Sequence, residues 1–385
     1  MSGPRVALLH HWFVTRGGGE RVAECLAGLL PTADIFTLMH TPAGLPQSLR
    51  ARTVKASFLQ KLPWATKRHR ELMPLYPEAA RSLDVRQYDL IVSSDSGPVK
   101  GARIMPGTPH LCYCHSPMRY LYDGYDTYRH AMPWVKRWIF EHAAPRVRQA
   151  DWSAAQQVTR FVANSQYVQR RIEENYGRGA AVIHPPIDLH LARCNTSNGA
   201  YLAAGRMVPY KRTELLVQAC TRLNRPLRVV GTGPEEKRLR AMAGPSVTFL
   251  GHLSQEQLWD EYSRCRALLF AADEDFGMVP LEAESCGRPV IAYGAGGSLE
   301  TVCTDKDDAT KTGLFFPAQT VEDLSAAILQ FEAEERTFNR QAALNFARGF
   351  ATPLFLQGMR SAILNMMPAA EPALATVDEA LQVVQ

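Results

Sequence analysis

Short runs of aliphatic and β-branched residues alternate with amphipathic helical patterns along the whole chain, and this alternation limits the possible fold more than any other feature. Runs of this length and composition, bounded by turn residues, are typical of buried strands. A strand–helix–strand alternation of this kind predicts parallel α/β sheets. The predicted strands are Arg5–His10, Leu90–Ser93, Leu111–Cys114, Phe161–Ala163, Ala181–His184, Tyr201–Gly205, Leu227–Val230, Val247–Leu250, Ala267–Phe270 and Pro289–Ala292.

Amphipathic segments between and after these strands predict the helices. Thr320 has the position of an N-cap, and Thr352-Pro353 predicts a cap followed by proline in the first turn, with that helix running to about Asn365. The other predicted helices are Glu20–Leu30, Ser165–Tyr176, Glu214–Thr221, Pro234–Ala241, Glu256–Arg264, Pro280–Ser285 and Val321–Ala333.

The length of 385 residues predicts about two domains. His184-Pro185-Pro186 breaks the pattern, and a polar stretch over 194–199 follows, so we place a linker near 186–199. We predict an α/β protein of two doubly wound, Rossmann-like domains, 1–190 and 191–350, facing across a cleft. Helix 353–365 is expected to pack back on the first domain, and 366–385 to form a tail. Ligands of such folds bind outside the carboxyl ends of the strands.

Composition excludes several classes of protein. The chain is 46% hydrophobic and 21% charged, which is the balance of a globular protein and excludes intrinsic disorder. It contains no apolar run of the ~18–20 residues that span a bilayer, and its first apolar run is too short for a signal peptide. Eight cysteines without a Cys-x-x-Cys pair fit reduced thiols. We therefore expect a cytoplasmic protein.

Positive charge is concentrated in the first half. Residues 1–190 hold 24 Lys and Arg against 15 Asp and Glu, whereas 191–385 hold 19 against 23. Two segments, 58–70 and 132–140, mix Trp and Leu with Lys and Arg, as segments at a membrane surface do. We predict peripheral contact with an anionic membrane surface; the alternative is a core-facing helix with a solvated basic face. Nucleic acid is not an expected partner, because no known binding module is present.

Two glycine-rich turns follow predicted strands. Gly17-Gly18-Gly19-Glu20 opens a helix and predicts a turn that a phosphate could approach closely. Gly231-Thr232-Gly233 is more typical of a packing turn, with backbone contact to a nucleotide as the alternative. Neither is a dinucleotide fingerprint, since the second lacks the third glycine. This argues against an NAD-dependent oxidoreductase.

Charged residues near two strand ends in the second half predict a diphosphate site. Arg206 and Lys211 flank the turn after one strand, and Arg and Lys are suited to phosphate. Glu274 and Glu282 stand eight positions apart after another strand. Between them, Gly277, Met278 and Val279 begin a helix whose free N–H groups attract anions. The alternatives are solvated loop charges and ordinary acidity at a helix start.

Two Asp-x-Asp patterns raise the question of a divalent cation. They lie in Asp273–Asp275 and in Asp305–Asp308. Arg206 and Lys211 can supply the positive charge that a metal would bring to a diphosphate. We therefore expect no metal and no cofactor.

With these motifs, the chain over roughly 5–365 resembles the retaining GT-B glycosyltransferases of family four. The resemblance implies that Arg206 and Lys211 hold the donor diphosphate, and that Glu274 contacts the sugar and Glu282 the ribose. It further implies that the backbone of Gly277, Met278 and Val279 binds phosphate or sugar, and that Gly18 and Gly19 lie under the phosphate. Gly231 is also predicted to contact the nucleotide through its backbone. The segment of Gly251, His252 and Leu253 resembles the one whose backbone contacts the base in that family. His115, directly after a predicted strand, resembles the active-site histidine.

Further stretches look like bacterial mannosyltransferases of O-antigen and exopolysaccharide assembly: Val92–Asp95, Cys112–Tyr120 and Val208–Arg212. This resemblance implies transfer of mannose from GDP-mannose, with retention of configuration, to a glycan or lipid-linked saccharide acceptor. A UDP-sugar donor and a catalytically silent subunit that binds sugar nucleotides are the alternatives.

Overall fold

The computed structural model describes residues 3–305 and 310–384, and in these residues the chain forms thirteen strands and fourteen α-helices. The strands are β1 (Val6–His10), β2 (Asp34–Thr37), β3 (Val54–Ala56), β4 (Leu90–Asp95), β5 (His110–Cys114), β6 (Arg160–Ala163), β7 (Ala180–Val182), β8 (Tyr201–Ala204), β9 (Leu227–Val230), β10 (Val247–Gly251), β11 (Leu268–Phe270), β12 (Val290–Tyr293) and β13 (Gly313–Phe316).

The helices follow the strands in regular alternation in much of the chain. They are α1 (Gly18–Leu29), α2 (Tyr76–Arg81), α3 (Tyr125–Ala131), α4 (Trp134–Gln157), α5 (Gln166–Tyr176), α6 (Thr213–Arg222), α7 (Glu236–Met242), α8 (Gln255–Arg264), α9 (Met278–Ser285), α10 (Ser298–Thr301), α11 (Val321–Glu334), α12 (Arg340–Arg348), α13 (Thr352–Met366) and α14 (Val377–Val384).

The chain divides into two compact units. The N-terminal unit comprises Met1–Pro186 together with Thr352–Gln385, and the C-terminal unit comprises Ile187–Ala351. The predicted boundary at 190/191 differs from this division by four residues. Helix α13, which begins at Thr352, belongs to the N-terminal unit.

The N-terminal unit is built on a parallel sheet of seven strands, in the order β3-β2-β1-β4-β5-β6-β7. Side chains alternate between its two faces, as the two-residue period of a strand requires. Val6 and Leu8 of β1 pack with α1, α13 and α14 on one face. Ala7 and Leu9 pack on the other face, with α2 and α4. Strands buried on both faces explain why these runs are almost continuously apolar.

The C-terminal unit repeats this architecture with a parallel sheet of six strands, in the order β10-β9-β8-β11-β12-β13. One face carries α6 and α11, whose Leu216 and Ile328 are buried in the same cluster. The other face carries α8 and α9, with Trp259 and Tyr262 in its core. The prediction of two doubly wound α/β sheets is confirmed.

Strands β2, β3 and β13 were not predicted, nor were helices α2, α3, α4, α10, α12 and α14. Each of the three strands includes a residue that is uncommon in strands, namely Asp34, Lys55 or Gly313. Helix α4 contains Pro145, a residue normally read as a helix break, yet the helix continues through it to Gln157. The surrounding contacts of the folded unit therefore decide the length of α4.

The reading of 366–385 as a tail differs from the structure. Pro368–Ala373 forms a 3-10 turn, and α14 follows. Ala380 is fully buried, and Ala375 N donates to the carbonyl of Leu29 at 3.0 Å. Gly28 of α1 allows this approach, because a Cβ at Gly28 would lie 2.9 Å from the carbonyl oxygen of Ala380. Alanine-rich sequence has no obvious apolar face, but it allows helices to pack closely.

No helix in the described ranges has both the length and the apolar character needed to cross a bilayer.

A buried carboxyl group on α9 gives a test of the C-terminal core. Glu284 is fully buried, and burial raises the pKa of its carboxyl well above the ordinary value, against a smaller opposing effect of the Thr312 hydroxyl. The native state therefore holds a proton that the unfolded chain releases above about pH 4.5. The free energy of unfolding should fall as the pH rises from this value toward the native pKa.

We expect Glu284→Gln to remove this pH dependence and to stabilise the protein by about 1–2 kcal/mol at pH 8, with little effect at pH 5. Urea denaturation followed by circular dichroism at both pH values measures it. Glu256→Gln, at an exposed position of α8 in the same unit, is the matched control and should change stability by less than ~0.5 kcal/mol. An equal effect of Glu284→Gln at both pH values would contradict the assignment.

Candidate functional site

The C-terminal sheet places the predicted diphosphate residues at one edge. Strands β8 and β11 are neighbours in the sheet although they are not consecutive in the chain, which makes their junction the point where strand order reverses. Ligands of doubly wound sheets bind outside the carboxyl ends at such a junction. Gly205 and Arg206 directly follow β8, and Glu274 comes four residues after β11.

Lys211 and Glu274 form an ion pair at this edge. The Lys211 ammonium contacts the Glu274 carboxylate, and both side chains are largely buried, with 15% and 17% exposure. Gly205 lies beside the ammonium with φ +137°, a backbone conformation that favours glycine. Burial lowers the pKa of Lys211, but Glu274, Tyr210 and Glu282 together raise it by more, so the net pKa is raised. Lys211 therefore carries a full positive charge at neutral pH.

Glu282 belongs to the same charge cluster. Its Oε2 accepts a hydrogen bond from the Tyr262 hydroxyl at 2.7 Å. Burial raises the pKa of Glu282, opposed by the Tyr262 bond and by the charge of Lys211. The two glutamates that stand eight positions apart in the sequence thus both interact with one lysine. Arg206 lies in the loop after β8 with its side chain exposed to solvent.

Helix α9 begins beside this cluster. Gly277 precedes its first turn with φ +86°, a conformation that favours glycine. No side chain in the described ranges caps this end of α9, so the N–H groups of Met278 and Val279 lack a side-chain acceptor. Such N–H groups, together with the positive end of the helix dipole, favour an anion.

The two other predicted backbone contacts lie in the turns after β9 and β10, of which only the turn at Gly231 is tightly packed. Gly231 is required by packing, because a Cβ there would lie 2.0 Å from the Gly205 carbonyl oxygen. Gly231 N donates to the Gly251 carbonyl at 2.7 Å, which joins the ends of β9 and β10. His252 and Leu253 follow in a turn that ends at the capping box of Ser254. The backbone of this segment is therefore fixed, and the His252 side chain is exposed.

A cavity of about 420 Å³ lies against α8, with Leu253 among its lining residues. Its charged residues include Arg228 and Glu261, which form a bidentate pair at 2.6 Å. These charges neutralise each other, so we assign no ligand to this cavity.

The N-terminal sheet places His115 at the carboxyl end of β5. Its Nε2 lies 2.8 Å from the hydroxyl of Ser94 on the neighbouring β4, and its backbone N–H donates to the Asp95 carbonyl at 2.8 Å. Asn164 Nδ2 donates to the carbonyl of His115 at 3.0 Å. The side chain is half-buried, so one part of the ring is held by the sheet and another is reachable from solvent.

The early glycine loop lies against this histidine. Gly18 is the first residue of α1, and a Cβ added at Gly19 would lie 3.8 Å from Cε1 of each of His10, His11 and His115. Glu20 in the first turn is buried, and burial raises the pKa of its carboxyl to about 7, opposed by backbone amides of Glu20 and Gly17. The predicted residues Gly18, Gly19 and His115 are thus brought together.

His10, His11 and Ser94 were missed as site residues. Burial is the main cause that lowers the pKa of His10 well below its ordinary value, and it likewise lowers that of His11 to about 3, so both rings are neutral. The available signal was their position, since polar residues that end buried parallel strands lie at the ligand edge of a sheet.

In residues 3–305 and 310–384, no group of three or more His, Cys, Asp or Glu side chains is arranged to hold a metal ion. Part of the Asp305–Asp308 pattern lies outside the described residues.

Comparison with protein families matches both halves of the chain. Residues 16–191 match the model described as Glycosyltransferase Family 4, and residues 195–346 match the model described as Glycosyl transferases group 1. Together the two matches cover most of the chain, and their junction falls near the division between the two units.

Curated relatives include mannosyltransferases at low identity. A GDP-mannose-dependent alpha-(1-6)-phosphatidylinositol monomannoside mannosyltransferase of Mycolicibacterium smegmatis is 28% identical over 216 residues, covering 48% of this chain and 54% of that protein. The O-antigen chain mannosyltransferase C of Escherichia coli is 28% identical over 173 residues, covering 43% and 45%. The chain thus spans about half the length of the curated relatives that it matches.

Among solved structures, Anabaena HepE in complex with UDP and glucose superimposes with a TM-score of 0.70 at 18% identity, covering 94% of this chain and 99% of that one. At this identity the likeness shows the fold. Together with the family matches, it shows that the chain belongs to the glycosyltransferases with the GT-B fold that join a family 4 N-terminal half to a group 1 C-terminal half.

Proposed function

We propose that this glycosyltransferase moves mannose from GDP-mannose onto a glycan or lipid-linked saccharide in the synthesis of bacterial surface polysaccharide, with retention of configuration. The observation that carries the proposal is the charge cluster of Lys211, Glu274 and Glu282 beside the uncapped start of α9. It combines a cation for phosphate, carboxylates for sugar hydroxyls and free N–H groups in one small region.

The proposed chemistry is electrostatic. Transfer requires a departing diphosphate that accumulates negative charge, and fixed positive groups lower the energy of that state. We assign the stabilisation of this charge to Lys211, Arg206 and the N–H groups at the start of α9. Glu274 would accept hydrogen bonds from the hydroxyls of the transferred sugar, and Glu282 from the ribose. These charges take the place of a metal ion in the proposed mechanism.

Retention would follow if the acceptor hydroxyl attacks from the face that the diphosphate leaves. The departing phosphate oxygen then takes the proton of that hydroxyl, so no protein base is needed. A double displacement would instead need a carboxylate nucleophile with a second carboxyl group close by. Glu274, the candidate carboxylate, is neutralised by its contact with Lys211, which weakens it as a nucleophile.

GDP-mannose is favoured by the mannosyltransferases among the relatives, one of which is named as GDP-mannose-dependent. The alternative is a UDP-sugar, since the structurally similar Anabaena protein holds UDP and glucose. A silent binding subunit is a second alternative. The presence of the whole predicted set, His115, Arg206, Lys211, Glu274 and Glu282, argues against it.

Thermal unfolding with a panel of nucleotides tests the donor. We expect GDP and GDP-mannose to raise the melting temperature by several degrees at concentrations near 100 Kd, since such binding adds about 2.7 kcal/mol to the native state. UDP-glucose and UDP-GlcNAc should act weakly, and NAD should have no effect. A larger shift with a UDP-sugar would select the other donor, and a shift with NAD alone would overturn the transferase proposal. Binding without release of GDP in the presence of acceptor would indicate the silent subunit.

We expect Lys211→Ala to lower kcat by about 10²–10³-fold, the usual cost of removing one group that stabilises transition-state charge. Lys237→Ala is the matched control, since Lys237 is an exposed lysine of α7 in the same unit and should leave kcat unchanged. Rates are measured by release of GDP after circular dichroism has shown that both variants are folded. A loss of less than a few-fold in Lys211→Ala would contradict the role of Lys211 in stabilising the leaving group.

We also propose that the N-terminal unit contacts an anionic membrane surface. At the start of α4, Trp134 and Trp138 are exposed by 81% and 60%, together with their neighbours Val135 and Ile139. Lys136 Nζ forms an ion pair with Glu71 at 3.0 Å, which places this helix start beside the end of the other basic segment, 58–70. Aromatic rings flanked by Lys and Arg suit the interface of an anionic bilayer. Such a surface would keep the enzyme on the inner face of the cytoplasmic membrane, where lipid-linked acceptors are found.

Replacing Lys67, Arg68 and Arg70 by Ala should weaken binding to vesicles containing phosphatidylglycerol by about 1 kcal/mol for each charge, because these three side chains are exposed. Replacing the exposed Arg50, Arg160 and Arg170 of the same unit removes the same charge elsewhere and is the control. Co-sedimentation measures both. Equal losses of vesicle binding in the two triple variants would show that binding depends only on net charge, and would exclude a defined membrane-binding surface.

A further inference from the structure

Three side chains from three neighbouring strands meet on one face of the N-terminal sheet. His10 ends β1 and is paired in register with Ser94 of β4, while His115 follows β5 on the other side of β4. Each continues the alternate positions whose apolar residues face α1: Leu8, Val92 and Tyr113. The two-residue period of the strands therefore places Ser94 between the two imidazoles.

The hydrogen bonds of His10 identify which of its nitrogens carries the proton. Its Nδ1 lies 3.0 Å from the carbonyl oxygen of Ser94 and 3.1 Å from the Ser94 hydroxyl. A carbonyl oxygen can only accept, so Nδ1 is the donor. The ring is fully buried and neutral, which leaves Nε2 without a proton. Toward His10, the Ser94 hydroxyl can therefore act only as an acceptor.

The proton of the Ser94 hydroxyl then has one acceptor among the contacts that the structure describes for this oxygen. Ser94 is fully buried, and a buried hydroxyl donates its proton where an acceptor is within reach. His115 Nε2 lies 2.8 Å away, at a good hydrogen-bonding distance. Donation along this direction makes Nε2 of His115 an acceptor, so its proton in the neutral form resides on Nδ1.

We propose that Ser94 is a positioning residue that orients the His115 imidazole and fixes it as the Nδ1–H tautomer, through the chain of hydrogen bonds from His10 to Ser94 to His115. The chain of hydrogen bonds is independent of the proposed function, and only its role in catalysis rests on that function. In this tautomer Nδ1 of His115 is a hydrogen-bond donor, and its Nε2 is occupied by the Ser94 hydroxyl. His115 is not placed to remove the proton of the acceptor hydroxyl.

Other contacts keep the ring in this orientation. The Tyr113 ring meets it edge-on with centroids 5.3 Å apart, and the His11 ring does so at 6.2 Å. The backbone of His115 is fixed on both sides, by Asp95 and by Asn164. Since the position of the ring has several supports, the hydroxyl of Ser94 can be removed without removing all of them.

The tautomer is read directly by NMR of protein labelled with ¹⁵N-histidine. Long-range ¹H–¹⁵N correlations distinguish a protonated ring nitrogen from an unprotonated one, and His115→Ala assigns the His115 signals. We expect the Nδ1–H form of His115 in the wild-type protein and a shift toward Nε2–H or a mixture in Ser94→Ala. An Nε2–H tautomer in the wild type, or an unchanged pattern in Ser94→Ala, would overturn the proposal. Ser94→Thr keeps the hydroxyl and should keep the wild-type tautomer.

Ser93 offers a matched control one residue away. Its hydroxyl lies 2.8 Å from Nε2 of the buried His110, which is the same kind of contact on the opposite face of the sheet. Ser93→Ala should alter the signals of His110 and leave those of His115 unchanged. If both serine variants alter His115 equally, the effect is a general loosening of the sheet and the proposal fails.

Kinetics provide the second measurement. Ser94→Ala should lower kcat by about tenfold with little change in KM for the donor, as expected when one hydrogen bond that orients a catalytic group is lost. In a His115→Ala background, Ser94→Ala should have no further effect on kcat, because the two residues act as a unit. A full additional loss in that background would assign Ser94 another role. A protein with the expected tautomer but without transfer activity would refute the proposed function and leave this inference intact.

Discussion

Every strand in each sheet runs in the same direction, and this constraint determines where chemistry is possible. All carboxyl ends meet at one edge, so residues far apart in sequence become neighbours there. In the N-terminal unit, this edge collects His10, Ser94 and His115 from three adjacent strands. In the C-terminal unit, it collects the loop after β8 and the segment that joins β11 to α9.

The charges at the C-terminal edge are balanced before any donor binds. Lys211 is paired with Glu274 and lies close to Glu282. Under the proposed function, a donor diphosphate would therefore compete with these carboxylates for the ammonium. Burial makes an unpaired lysine costly, and the ion pair removes that cost. Under the proposed function, the same pairing would weaken the attraction of a free anion and favour a ligand that also offers hydroxyls to the glutamates.

Much of this architecture could be predicted from the sequence, because buried parallel strands are continuous apolar runs of limited length. The ten predicted strands all correspond to observed ones, with ends that differ by at most two residues. Strands β2 and β3 were not predicted because Asp34 and Lys55 make their runs less apolar, and β3 has no fully buried residue. The region over 366–385 was misread because its alanines become buried only when α1 is present to receive them. Burial of this kind is a tertiary property that local sequence does not record.

The roles of the predicted site residues stay predictions, but the structure shows why some residues of the candidate site stand out in the sequence and others do not. Lys211, Glu274 and Glu282 stand out in sequence because charges at the ends of apolar strands need an explanation. Ser94 does not stand out, because a serine at the end of a strand is ordinary in any sequence. Its significance comes from the two imidazoles on either side of it, and only the register of β1, β4 and β5 places them there. The Ser94 hydroxyl lies between one ring nitrogen that must donate and another that can accept, so the direction of the hydrogen bond that it donates is defined. That direction exists only in the folded sheet.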